Sequence, residues 1–576
     1  QRLWARDTTL WAPDPPPPEL ADRLGWLDLP ETPEADLDAI ARLASEVPFW
    51  MTDLVLLGMG GSSLAPEVMA RTLGTERLPL TVVDTTHPLA VREMEWLRPA
   101  NTVFLVASKS GTTLETLSLF RHFWSRARDV VDDAGSHFIA ITDPGSPLAE
   151  LGRERRFRAV IEAPPDVGGR FSALSPFGLV PAGLMGLDIG NLLERAREAA
   201  EACREEASRN PGFRLGAALG ELAKAGRDKL TFVTSSHLSA FPDWAEQLVA
   251  ESTGKDGTGI VPVAHEPALE PEAYGADRVF VGLIGSETAR AEMAQWGEED
   301  DSWDRLERLE ERGHPVIRVE VEEPAELGAL FFVWEVAVAM AGAVLDIHPF
   351  NQPDVQLAKR LARRAMGTGD GRGASPADEP AADRGDGQAG GPATDPSDPA
   401  DGDEPDALDL DWETARYGHA PSQAIPRADP SEIRARIGSF LAAVEPGDYV
   451  GLHVYTAGGD EDELDRLQRL REALTRATGV PTTLGYGPRF LHSTGQLHKG
   501  GSNRGVFLQI VDDAAAHVHV PETDFTFHRL IRAQARGDLE ALERRERRLL
   551  RVRVAPEGEG FERLVGLVEE MAEERP

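Results

Sequence analysis

The chain has 576 residues, with 97 Asp and Glu against 60 Lys and Arg and a formal net charge of −37. That length exceeds one ordinary core and predicts two or three domains, while so acidic a balance argues against nucleic-acid or anionic-membrane partners. Cys203 is the single cysteine, which excludes a disulfide framework and a Cys-built zinc site and fits a reducing, cytoplasmic setting. Lysine is kept only at Lys109, Lys224, Lys229, Lys255, Lys359 and Lys499. In a chain so biased toward arginine, a retained lysine points to a place that needs a compact, titratable ammonium.

Residues 1–30 open with the proline-rich LWAPDPPPPEL and read as a lead-in or linker. They carry no signal-peptide pattern, and Gln1 in place of Met is expected of a processed chain or a piece of a longer one. Residues 31–185 then alternate strand, polar turn and helix: TDLVLLGMGGSS, LAPEVMARTL, LPLTVVDTTHP, NTVFLVASKSGTT, LETLSLFRHFWSRAR and SHFIAITDPGSPL. Strands alternating with helices at this spacing predict an α/β fold with a parallel sheet, whose ligands bind at strand C-termini. Residues 186–365 repeat the alternation with DKLTFVTSS, WAEQLVAESTGK, DRVFVGLIG and PVIRVEV. Their apolar run LGALFFVWEVAVAMAGAVL is long enough to suggest a membrane span, but Glu326 and Asp346 flank it and a buried helix is the better reading. Residues 366–430, rich in Gly, Pro, Ala and Asp, read as a disordered acidic linker. Residues 431–576 form a smaller C-terminal α/β region.

The turns carry the chemistry. In VFLVASKSGTTLET a buried strand runs into Ser108, Lys109, Ser110, Gly111, Thr112 and Thr113, with a helix behind. A helix N-terminus offers free N–H groups and partial positive charge, hydroxyls add donors, and Gly111 lets the backbone come close, so the segment suits a phosphate monoester. A helix cap needs one hydroxyl; four exceed that need. The Gly-rich LGMGGSSLAP lacks the third glycine of a dinucleotide fingerprint and the GK[ST] of a P-loop. GGRFS sets Arg170 behind Gly169, where a guanidinium can stabilise charge developed in a reaction. Gln247 and Glu251 stand four apart on one helix face, with Glu251 a candidate base near the helix end. Gln352 and Lys359 lie seven apart, two helical turns. Each of these, taken singly, also reads as ordinary loop, cap or solvated-helix chemistry.

Together and in this order, GMGGSSLAP, SKSGTTLET, GGRFS, QLVAESTGK and HPFNQPDVQLAK resemble the five motifs of the glucose-6-phosphate isomerase family, built from two sugar-isomerase (SIS) domains. The resemblance spans about residues 50–365 and implies two doubly wound, flavodoxin-like parallel-sheet domains. LGWLDLP and YGPRFLHSTGQLHKGG further resemble the isomerase half of bacterial transaldolase/isomerase fusions, which implies a covalently linked transaldolase domain in the full-length protein and none in these residues. The implied reaction interconverts D-glucose 6-phosphate and D-fructose 6-phosphate through a cis-enediol, without metal or other cofactor.

The same resemblance implies the roles. Ser108, Ser110, Thr112, Thr113 and the Lys109 backbone hold the phosphate, with Ser62 nearby. Glu251 is the base, and Arg170 beside Gly169 stabilises the enediolate. Lys359 and Gln352 position the sugar; Glu115 and Gln247 line the pocket. The family's ring-opening histidine has no counterpart in its usual context. His265 and His348 lack that context, and His498 or His492 of the C-terminal region is expected to supply it. Two alternatives stay open: a non-catalytic SIS-type sugar-phosphate sensor, and an isomerase that also accepts mannose 6-phosphate. The expected partners are a small sugar phosphate and a second copy in a homodimer, with no nucleic acid and no membrane.

Overall fold

The computed structural model describes residues 1–286, 300–355, 360–361, 366, 408–409, 430–512, 516–554 and 559–574. Lys359 and nearly all of the expected linker 366–430 lie outside them.

Three parallel sheets organise the chain. The first contains β1 (Asp53–Leu57), β2 (Leu80–Val83), β3 (Thr102–Ala107), β4 (Phe138–Thr142) and β5 (Ala159–Glu162), in the order β2-β1-β3-β4-β5. Every residue of β3 and β4 is buried, as expected of parallel strands covered on both faces. β1 pairs with β3 through Leu54↔Val103 and Leu56↔Leu105. The strand order reverses between these two, so the turns leaving them diverge and open a crevice at their C-terminal ends.

The second sheet holds β6 (Lys229–Thr234), β7 (Val261–Val263), β8 (Arg278–Gly285) and β9 (Val316–Val321), in the order β7-β6-β8-β9. The third holds β10 (Leu408–Asp409), β11 (Tyr449–Tyr455), β12 (Thr482–Tyr486), β13 (Gly505–Asp512) and β14 (Arg548–Val554), in the order β10-β14-β13-β11-β12. From β11 onward the C-terminal region repeats the winding of the other two units: β11 lies between β12 and β13, as β1 lies between β2 and β3.

The apolar helix Leu327–Val344 has the length and composition of a membrane span, yet Phe331, Phe332 and Trp334 are buried inside the chain. Helix Pro211–Lys224 lies against it along a glycine stripe. A Cβ on Gly216 would fall 2.1 Å from the Ala337 carbonyl, and one on Gly220 2.7 Å from Val344. Residues 1–30 are packed rather than loose. Leu3, Trp11, Leu20 and Trp26 enter the largest core, and Trp11 Nε1 donates to the Ala339 carbonyl at 2.7 Å. Their apolar residues follow no helical or strand period, so the sequence pattern hides this burial.

The third unit has its own core, with Val450, Leu452, Leu470, Leu508 and Phe561 among its members. It also packs on both other units. Tyr449, Leu497 and Phe507 meet Ala250, Val261 and Val263. Val520, Phe525, Phe527 and Leu530 join the core that contains Phe104 and Phe123. Arg471 adds donors to the Ala264 and His265 carbonyls at 2.9 and 2.6 Å.

Candidate active site

The turns after β1 and β3 define one wall. After β1 the chain tightens into the turn Gly60–Ser62, with Gly60 at φ +54°. A Cβ on Gly60 would lie 2.5 Å from the His492 carbonyl, and one on Gly61 2.0 Å from that of Gly169. These glycines let three segments remote in sequence converge: the Ser62 turn, the Gly169–Arg170 turn, and His492 from the third unit.

After β3, Ser108 Oγ meets Thr113 Oγ1 at 2.9 Å and Ser110 Oγ meets Thr112 Oγ1 at 3.0 Å. Gly111 takes φ +67°. Thr113 is the N-cap of helix Leu114–Arg128, yet its side chain makes no capping bond. The Thr113 hydroxyl is therefore not consumed by the helix end, while Ser110 Oγ accepts from the Thr112 N–H at 3.3 Å. Lys109 Nζ is already paired, with both carboxylate oxygens of Asp143 at 2.8 Å.

Helix Phe241–Thr253 packs against the Gly60–Ser62 and Gly169–Phe171 turns. Glu251, 4% exposed, and Arg170, 3% exposed, lie with Oε1 and Nη1 3.4 Å apart. Arg170 also donates to Ser252 Oγ at 2.7 Å, to the Pro349 carbonyl at 2.5 Å and to that of Asn351 at 3.0 Å. The guanidinium is thus fixed by four acceptors, and it fixes the backbone beside half-buried Gln352. Gln247 Nε2 bridges Glu251 Oε2 at 3.2 Å and the His492 carbonyl at 2.7 Å, while its Oε1 is buried with no partner among the described residues. Lys255 donates to the His348 carbonyl at 2.6 Å. Burial, with Arg170 nearby, holds Lys255 well below its ordinary pKa.

The two C-terminal histidines part company. His492 sits in the turn Arg489–His492 with Nε2 3.1 Å from Glu115 Oε1. His498 lies six residues on, in helix Gly495–Gly500. There its Nδ1 meets His453 Nε2 at 3.0 Å, and His453 Nδ1 meets Asp538 Oδ2 at 3.1 Å. Lys499 Nζ closes the cluster on Asp538 Oδ1 at 2.6 Å. Burial, then the neighbouring His453 and Lys499, pushes His498 well below the usual histidine pKa. His498 thus belongs to a buried polar cluster of the third unit, and His492 to the crevice. His348 accepts from the Phe350 N–H, and burial lowers its pKa to about 4. His265 pairs with Asp243 at 2.6 Å.

Three residues that the sequence motifs do not single out tie the third unit to this site. Arg489 pairs with Glu67 at 2.5 Å and Asp84 at 3.0 Å. Gln496 donates to the Gly254 carbonyl at 3.0 Å and to Asp354 Oδ2 at 2.7 Å, clasping the end of the Glu251 helix. Gln534 donates to Glu115 Oε1 at 2.7 Å. Arg489 and Gln496 lie within the quoted YGPRFLHSTGQLHKGG, whereas nothing in the text around Gln534 marks it. Among the described residues, no group of three or more His, Cys, Asp or Glu side chains is arranged to hold a metal ion.

Comparison with known proteins agrees with this geometry. The family model described as phosphoglucose isomerase matches residues 47–264. A glucose-6-phosphate isomerase of Rubrobacter xylanophilus is 30% identical over 397 residues, covering 60% of this chain and 90% of that protein. One from Thermus thermophilus is 30% identical over 385 residues, covering 60% and 91%. The crystal structure of a hypothetical protein from Thermus thermophilus aligns with TM-score 0.56 at 26% identity, over 63% of this chain and 94% of its own. A glucose-6-phosphate isomerase from Chlamydia trachomatis shares the fold with TM-score 0.51 at 19% identity, over 63% of this chain and 78% of its own. With almost the whole of two relatives matched at this identity, the chain belongs to the phosphoglucose isomerase family.

Proposed function

We propose that this chain interconverts D-glucose 6-phosphate and D-fructose 6-phosphate, moving a proton between C2 and C1 through a cis-enediol. The observation that carries the assignment is the buried pair of Glu251 and Arg170, which Gln247 and His492 link to Glu115, two residues after Thr113. A carboxylate beside a fixed guanidinium suits abstraction of a proton next to a carbonyl, because the negative charge that moves onto the enediolate meets a cation that needs no reorganisation.

In this reading the hydroxyls of Ser108, Ser110, Thr112 and Thr113, the Lys109 N–H and Ser62 hold the phosphate. Anchoring the far end of the sugar brings C1 and C2 to Glu251, which takes the proton from one carbon and returns it to the other. The unpaired Gln247 Oε1 accepts from a sugar hydroxyl, which would remove a buried unsatisfied acceptor. Gly169 and Gln352 line the pocket, and Lys359 positions the sugar as the family motif implies. His492, oriented by Glu115, handles the proton exchanged with the sugar ring oxygen when the hemiacetal opens.

The test is a coupled assay from fructose 6-phosphate to glucose 6-phosphate on the parent chain and on E251Q. Turnover in the parent that falls by about 10³-fold or more in the variant is expected of the loss of a general base. Equal turnover in both would remove Glu251 from that role. Sugar-phosphate binding by the parent without turnover would favour a sensor instead.

A further inference from the structure

We propose that Gln534, on helix Phe527–Arg544 of the third unit, is a positioning residue for ring opening. It fixes the Glu115 oxygen against which His492 is set. The inference rests on the ring-opening role given above to the His492–Glu115 pair, and it extends that role to a part of the chain carrying none of the five family motifs.

Gln534 is 3% exposed, and both ends of its amide are engaged. Nε2 donates to Glu115 Oε1 at 2.7 Å, and Oε1 accepts from Thr86 Oγ1 at 2.7 Å. The orientation is forced: an ionised carboxylate only accepts, so the amide must turn its N–H₂ toward Glu115, leaving its oxygen for the threonine hydroxyl. The same Glu115 oxygen meets His492 Nε2 at 3.1 Å. Two nitrogens from different elements of the third unit therefore converge on one oxygen of the first unit, and the direction of that oxygen is set from outside its own helix.

Thr86 is itself pinned. It lies in the loop after β2 and is fully buried, and the next residue, His87, meets Asp512 Oδ1 at 3.0 Å. Thr86, Gln534, Glu115 and His492 thus form a continuous chain of bonds from the loop after β2 to the crevice. The relatives are covered over 90% and 91% of their length by 60% of this chain, so about two fifths of the chain lies outside the matched stretches. The third unit supplies His492 and Gln534 together, as one clamp on Glu115.

The experiment isolates ring opening. In the E251Q background, where proton transfer between carbons is blocked, exchange between the α and β anomers of glucose 6-phosphate is followed by NMR. Q534L removes both amide bonds. Q534E keeps the shape and an acceptor for Thr86 but withdraws the donor from Glu115. Both are expected to slow anomer exchange by about 10-fold to 100-fold, at or below the lower bound of general acid–base effects because Gln534 acts only through Glu115 and His492. Binding of the acyclic 5-phospho-D-arabinonate, read by calorimetry, is expected to stay within about threefold, since ring opening plays no part in it. Unchanged anomer exchange overturns the proposal. So does a fall matched by an equal loss of 5-phospho-D-arabinonate binding, which would mark Gln534 as a support of the whole site. If E251Q alone fails to speed anomer exchange over buffer, the ring-opening reading of His492 and Glu115 falls first, and this proposal with it.

Discussion

Replacing Arg489 by methionine tests whether docking of the third unit assembles the site. Arg489 holds Glu67 at 2.5 Å and Asp84 at 3.0 Å, three residues before His492 in one tight turn. Asp84 is 8% exposed, and burial, opposed by Arg489, already lifts its pKa to about 6. Methionine fills most of the space of the arginine stem but leaves two carboxylates facing each other without a cation. Removing one partner of a buried pair costs about 3–5 kcal/mol. Since 25% of the Arg489 side chain is exposed, the lower end, about 3 kcal/mol, applies. That is about two orders of magnitude in the balance between docked and undocked states. R489M is therefore expected to lose a large part of kcat/KM for fructose 6-phosphate in the coupled assay. Adding E67Q and D84N in the same chain should restore much of it, because the repulsion and the unpaired charges go together. Wild-type kcat/KM in R489M, or no recovery in the triple variant, would refute the claim that this contact sets His492 in place.

Two further predictions concern the core and the cradle. Glu335 is fully buried in the apolar helix Leu327–Val344, neither carboxylate oxygen has a hydrogen-bond partner among the described residues, and burial raises its pKa well above the ordinary 4.5. The unfolded chain ionises there first, so stability present below pH 4.5 is lost as pH rises toward the folded value, by about 1.4 kcal/mol per pH unit. E335L should accordingly melt higher than the parent, with a gap that widens from pH 5 to pH 7; parallel melting curves would reject the account. S108A removes the hydroxyl 2.9 Å from that of Thr113. Loss of one hydrogen bond to a charged group, about 1.5–3 kcal/mol, should raise KM for fructose 6-phosphate by about 10-fold to 100-fold with little change in kcat; an unchanged KM would place the phosphate elsewhere.

What the sequence revealed follows from where the physics is local. A parallel strand covered on both faces is a continuous apolar run, and the turn after it is a burst of hydroxyls and glycine, so β3 and the proposed cradle are legible in a dozen residues. Glu251 and Gln247 are legible for the same reason, since helical spacing alone puts them on one face. Gln534 is not. Its role arises from a contact with Glu115 across 419 residues, and in its own helix it reads as one more polar residue on an amphipathic face. His492 and His498 show the middle case. Both belong to the same short motif, but the helix Gly495–Gly500 begins between them and sends one to the crevice and the other into the cluster with His453 and Asp538.

The same distinction explains why the third unit is more than a covering layer. A unit that merely shielded apolar surface would need only contacts such as those of Phe525, Phe527 and Leu530 with the first core. Here several polar contacts also reach the elements around the proposed site. Gln496 clasps the end of the Glu251 helix, Arg489 grips the loop after β2, and Gln534 and His492 meet on Glu115. Buried polar groups must be matched in direction as well as in number, because an unmet donor or acceptor costs about 1–3 kcal/mol. Apolar packing alone would tolerate a slip of the third unit across the crevice; these bonds would not. Register between the units is thus set by directional bonds at the residues of the proposed site as well as by apolar packing.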